Sequence, residues 1–252
     1  MTNRPSLHDA CGPAGHVPAL LERFAADPGG RWSELTDHLC PYPDTAYPAS
    51  FAALPHLART ATATARTPGR LHPVLLAAGA ITARAAPHGT PGGPLERFAA
   101  PIAVLHRLTD QALRTTHREQ PYTEPLQCLL SFEGVEVRDR CLEGLHTGEY
   151  DIDCPHCGVH PCAAFHTEGV FHTGGAFRTA DDDTGQDTDR TPPRPAAPHA
   201  LEGLARRLRE RALADGHEGP ARAVTYLFGH ASCPHCATAF SPAERVAARW
   251  IP

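Results

Sequence analysis

The sequence predicts a mainly α protein: an irregular stack of helices, then a small cysteine-knuckle module that carries a helical insert. Three observations lead there. Apolar residues recur at helical spacing in segment after segment, Pro and Gly punctuate the intervals, and no alternating strand pattern interrupts them before residue 150.

Val17, Leu20, Leu21 and Phe24 lie at i, i+3, i+4 and i+7 within 14–26 and make one apolar helical face, which Asp27-Pro28-Gly29-Gly30 ends. A short helix through Trp32, Leu35 and Leu39 follows, and Cys40-Pro41-Tyr42-Pro43 breaks it. The run 45–64 is again helical through Phe51, Leu54, Leu57 and Ala58. Pro48 suits its first turn, and Pro55 in its interior removes one backbone bond and should kink it. Helices are expected over 70–85 (Val74, Leu75, Ala78, Ile81), 101–116 (Ile102, Leu105, Leu108), 123–132 (Leu126, Leu129, Leu130) and 135–146 (Val137, Leu142, Leu145), with a Gly/Pro-rich loop at 87–94. Helical pairs repeating at about 40–47 residues suit a HEAT-like solenoid. An irregular helical bundle is the alternative, because the period here is uneven.

The texture changes at Asp151, so we expect a helical domain over 1–150 and a second module over 151–252. The aromatic-bearing stretches 163–166 and 170–173 suggest a small hairpin. Residues 181–199, acidic and then Pro-rich, read as a solvated linker. Helices follow over 201–215 and 220–228, and a last one opens at Ser241-Pro242, with Ser241 as N-cap.

The module is framed by two copies of one tetrapeptide, Cys154-Pro155-His156-Cys157 and Cys233-Pro234-His235-Cys236. Each puts two thiols on a tight turn, and two such turns together supply the four soft ligands of a closed tetrahedral zinc (Zn2+) site. The stretch between them is far longer than the loop of a compact zinc ribbon. The pairs therefore frame an insert in a zinc-ribbon or treble-clef-like module, or each holds its own ion; a redox pair is a further reading. His156, His160, Cys162 and His166 crowd the first knuckle, and His230 and His235 the second, so which of them joins the site stays open. Because two CPHC pairs fill four positions, the pattern favours structure over catalysis. Cys11, Cys40, Cys128 and Cys141 are dispersed and read as buried thiols.

Composition narrows the function further. All 23 Lys+Arg residues are Arg, which looks like the imprint of a GC-rich bacterial genome and removes both P-loop and pyridoxal chemistry. HExxH, GxSxG, GxGxxG, EF-hand and zinc-deaminase patterns are absent. A formal charge of −5 gives no overall attraction to nucleic acid or an anionic membrane. The cluster Arg206, Arg207, Arg209 and Arg211, interleaved with Glu202 and Glu210, reads as a solvated helix face. With no apolar run of membrane length and no signal-like start, a cytoplasmic location is expected.

The runs Trp32–Leu35, Ala46–Pro55, Leu126–Gly134 and Tyr226–Pro234 together resemble bacterial HEAT-like helical-repeat proteins. The resemblance implies helical repeats plus a cysteine-knuckle module, and it is similar to immunity proteins that neutralise toxins by binding. The expected function is a non-enzymatic scaffold for a protein partner such as a toxin, with zinc fixing the C-terminal third. The alternatives are a metal- or thiol-dependent enzyme or accessory protein using 154–166 and, behind it, nucleic-acid binding through the zinc module. One departure concerns backbone shape: Cys236 is followed by Ala237 where a knuckle often has Gly.

Overall fold

The computed structural model describes residues 7–41, 45–85, 92–116, 122–135, 142, 144–145, 149–158, 161–164, 177–179, 194–233 and 235–250. The chain is mainly helical, with short strands. It forms two compact units, Met1–Thr116 with Glu124–Asp139, and His117–Thr123 with Arg140–Pro252.

The first unit starts with a tight hairpin, β1 (His8–Asp9) paired with β2 (Gly12–Pro13), and a 3-10 turn at Ala14–His16. Helix α1 (Val17–Ala26) then buries the four residues its spacing singles out, Val17, Leu20, Leu21 and Phe24. It stops at Asp27, whose carboxylate accepts the Gly30 amide at 3.1 Å and folds the chain back. In α2 (Trp32–Leu39), Leu35 and Leu39 are buried one turn apart. Its exposed side carries Glu34, bonded by Arg23 at 2.6 Å and Arg31 at 3.2 Å.

Helix α3 (Pro48–Thr64) runs through Pro55 and packs against α1, α4 and α6. Fully buried Ser50 splices its start to the end of α2: the hydroxyl accepts the Tyr47 amide at 2.9 Å and donates to the Leu39 carbonyl. That carbonyl lies in the last turn of a helix, where intrahelical donors run out. Helix α4 (Pro68–Ala83) likewise contains a proline, Pro73, and begins two residues before the expected start because Pro68 suits a first turn. The segment expected as one helix over 101–116 is preceded by a single turn, α5 (Pro94–Arg97), before α6 (Ala99–Thr115). Helix α7 (Thr123–Phe132) brings Cys128 against Gly79 of α4, a contact that needs a residue without Cβ on the α4 side. The core joins Phe24, Leu35, Leu39, Leu54, Leu57, Leu75, Ile81 and Leu105. Of the helix expected over 135–146, only Val135, Leu142, Gly144 and Leu145 are among the described residues, and Leu142 and Leu145 are buried.

In the second unit, of the hairpin expected from 163–166 and 170–173 only 163–164 are among the described residues, and they belong to a three-stranded sheet. Strand β4 (Pro161–Ala164) lies between β3 (Glu149–Asp151) and β5 (Phe177–Thr179), both antiparallel to it; 165–176 are outside the described residues. Of the linker expected over 181–199, 181–193 are outside them too. Its end is held: Arg194 exchanges backbone bonds with His230 at 2.7 and 2.9 Å, and the Ala196 amide bonds the Thr225 carbonyl at 2.8 Å. Helices α8 (Gly203–Ala214) and α9 (Glu218–Leu227) pack against each other across a Schellman turn. There Gly216 takes the left-handed conformation (φ 82°) while the His217 amide bonds Ala212 and the Gly216 amide bonds Leu213. On the charged face of α8, Arg206 and Arg207 are exposed as expected, with an Arg206–Glu210 pair at 2.8 Å, whereas Arg209 and Arg211 are half-buried, Arg211 against Asp215. Tyr122 stacks on His217, ring centroids 3.9 Å apart, and donates to Asp215 at 2.8 Å, which Arg211 also bonds at 2.6 Å. Strands β6 (Ala231–Ser232) and β7 (Ala239–Phe240) pair around the second CPHC, and α10 (Pro242–Trp250) closes the chain, with the Glu244 amide 3.5 Å from Ser241 Oγ.

Candidate metal centre

Both cysteine pairs sit on turns of the same construction. After β3, buried Ile152 and Cys154 lead into a turn closed by the Gly158 amide on the Cys154 carbonyl at 3.1 Å. After β6, the Ala237 amide bonds the Cys233 carbonyl at 2.9 Å, and the Cys233 amide bonds Thr238 at 2.9 Å, so this turn is the tip of a hairpin. In each, the residue after the second cysteine is left-handed: φ is 69° at Gly158 and 58° at Ala237. Turn amides also face the first sulfur of each pair. That of His156 lies 3.5 Å from Cys154 Sγ, and those of His235 and Cys236 face Cys233.

The turns bring four sulfurs together. Cys154 Sγ is 3.6 Å from Cys236 Sγ, Cys157 Sγ is 3.7 Å from Cys233 Sγ, and all four lie within 4.8 Å of one another. None of the four is in a disulfide. A tetrahedral ion at a metal–sulfur distance of about 2.3 Å sets its ligands about 3.8 Å apart, so the two cross-pair spacings are those of a closed four-sulfur site. The donor set suits a soft or borderline cation and fills its coordination shell.

The sulfurs differ in environment. Cys154 and Cys233 are 3 % and 2 % exposed, whereas Cys157 and Cys236 are half-buried. Burial pushes the Cys233 thiol up, against the pull of the neighbouring amides. The Thr238 hydroxyl and amide beside Cys236 lower it to about 6, so one thiol of the set is ready to lose its proton. A metal replaces thiol protons, and sulfurs that already face amide donors bind with less rearrangement.

The described residues therefore bring together all four cysteines expected as ligands. His156 and His235 are exposed and outside the cluster, and His230 is exposed with its backbone paired to Arg194. His160 and His166 lie outside the described residues, and only the backbone of Cys162 is described. Of the dispersed cysteines, Cys40 and Cys128 are buried as expected. Cys11 is exposed, because it occupies the tip of the β1–β2 turn and not a helix face. Cys141 lies outside the described residues. A second convergence escaped the sequence reading: Asp9, His16 and His38 come from a strand, a 3-10 turn and a helix, and no spacing motif connects them.

Comparisons with protein-family models, with curated proteins and with solved structures find no match to this chain. Among the described residues no helix is long and apolar enough to cross a membrane.

Proposed function

We propose that Cys154, Cys157, Cys233 and Cys236 hold one structural zinc ion, and that the chain is a non-enzymatic scaffold whose helical unit binds a protein partner. The single observation that supports this reading is the sulfur geometry, two matched turns with cross-pair spacings of 3.6 and 3.7 Å. Four thiolates leave a zinc ion no open position for substrate, so the ion's role is to tie the two turns together. Zinc suits the site because its filled d shell accepts a tetrahedron of sulfurs without a geometric penalty. A HEAT-like stack would offer the partner an extended helical surface, and toxin neutralisation is the most concrete form of that function.

Elemental analysis of the purified full chain tests the metal reading. One zinc per chain is expected in the cysteine site, kept in His156→Ala and lost in Cys154→Ser or Cys233→Ser. Release of the ion from His156→Ala, with the fold intact by circular dichroism, would overturn the closed four-cysteine site. Affinity capture from an extract of the native host tests the scaffold. One protein bound in a stoichiometric ratio is expected; DNA binding that weakens steeply with salt would replace this reading with the nucleic-acid one.

A further inference from the structure

At the other end of the chain, three side chains in the first unit point their donor atoms at one another. Asp9 Oδ2 is 2.9 Å from His16 Nε2 and 3.0 Å from His38 Nδ1, and the two nitrogens are 3.0 Å apart. The donor atoms thus form a nearly equilateral triangle. The Asp9 side chain is fully buried (0 % exposed), His38 is 26 % exposed and His16 is 43 % exposed, so the cluster is rooted in the interior and borders solvent.

Hydrogen bonds alone account poorly for this shape. An imidazole nitrogen has one in-plane lobe, which carries either a lone pair or a proton, and it can be aimed along one edge of the triangle at a time. Three near-equal edges leave a point in the middle from which a cation would reach all three donor atoms at once. The edge length adds a second constraint. At a metal–ligand distance of about 2.1 Å, neighbouring ligands of an octahedron are about 3.0 Å apart, and those of a tetrahedron about 3.4 Å. The triangle fits one face of an octahedron. The four-sulfur cluster, by contrast, has tetrahedral spacing.

The surroundings hold the donors in place. The other carboxylate oxygen, Asp9 Oδ1, accepts the Cys11 amide at 2.9 Å, and this bond orients Oδ2. The Ala10 amide bonds the His38 carbonyl at 3.0 Å, tying the hairpin to the end of α2. Such secondary contacts fix metal ligands in functional sites. A buried carboxylate of this kind needs positive charge beside it.

We propose that Asp9, His16 and His38 form a second metal site, a facial triad of two histidines and one carboxylate for a six-coordinate first-row dication such as Fe(II), Mn(II) or Co(II). Three positions then stay open to water or to a small chelating oxyanion, unlike the closed cysteine site. The site stands independently of the zinc reading.

Cobalt titration of the zinc-loaded full chain tests it, because the two sites give cobalt different spectra. Binding of one Co(II) per chain is expected, with the weak visible bands of six-coordination and no sulfur charge-transfer band. His16→Gln, at an exposed position, should weaken that binding at least about tenfold, comparable with or beyond the loss of a supporting contact. His72→Gln should leave it unchanged. Cys157→Ser should also retain it, so failure of the zinc reading would not be mistaken for failure of this one. Absence of cobalt binding outside the sulfur site, or equal binding by wild type and His16→Gln with both folded by circular dichroism, would overturn the proposal.

Discussion

Replacing Ala237 by glycine should stabilise the protein, and replacing Gly158 by alanine should do the reverse. The two residues occupy the same place in the two cysteine turns, and both have positive φ, 58° and 69°. A side chain in that region costs about 1–2 kcal/mol because Cβ crowds the following carbonyl. Glycine removes the clash but gives the unfolded chain more freedom, which returns about 0.4–1 kcal/mol. The net expectation for Ala237→Gly is a gain of about 0.5–1 kcal/mol. Nothing lies within 4 Å of where a Gly158 Cβ would sit, so Gly158→Ala has no collision to relax and its net cost, about 0.5–1 kcal/mol from the same two terms, is conformational. For a chain of this size each kcal/mol moves the melting midpoint by about 2–4 °C. Differential scanning calorimetry with both proteins saturated in zinc reads this directly. Shifts of opposite sign are expected, and an unchanged or lower midpoint for Ala237→Gly would refute the backbone argument.

Gly79→Ala should destabilise the first unit by about 1–3 kcal/mol, measured by urea denaturation, because its Cβ would meet Cys128 Sγ and lie 2.8 Å from Cys128 Cβ. Adding Cys128→Ala should restore only part of the loss, since the backbone Cα is also within 3.1 Å. Tyr122→Phe should cost about 1.5–3 kcal/mol through loss of a buried hydrogen bond to a carboxylate. Burial first, and then the bond to Asp215 and its charge, raise the Tyr122 phenol well above its ordinary range. The neutral phenol therefore belongs to the folded state: its contribution is complete below about pH 10 and is lost as pH rises beyond that. In an ultraviolet alkaline titration, the difference between wild type and Tyr122→Phe should isolate a phenol that ionises above the ordinary tyrosine range. A difference curve centred within the ordinary range would contradict the burial reading.

Residues differ in how openly they announced their places. Leu20, Leu21 and Phe24 were legible because an amphipathic helix writes its buried face into local spacing, and tertiary packing had only to accept it. The paired CPHC turns were legible because two thiols presented by one tight turn must be close in sequence. Even the odd Ala237 was readable, since the geometry that favours glycine there is local. Strand β4 was not: its partners are chosen by register against chain segments on either side, and nothing within 161–164 specifies 177–179 over 170–173. Asp9, His16 and His38 were hidden for a related reason. Their proximity depends on the hairpin, the 3-10 turn and α2 all being in place, and a histidine carries the same letter whether it points inward or out.

The cysteine cluster also has a consequence for how this chain tolerates change. A metal joining Cys157 to Cys233 closes a long loop, and the entropy of closing a loop grows only with the logarithm of its length. Doubling the stretch between the two turns would add only about 0.6 kcal/mol to that closure. Retention of an ion bound there would thus depend little on the length of chain between the knuckles and strongly on the two short turns. Changes of length between the two turns that leave α8 packed on α9 would therefore leave the clasp intact.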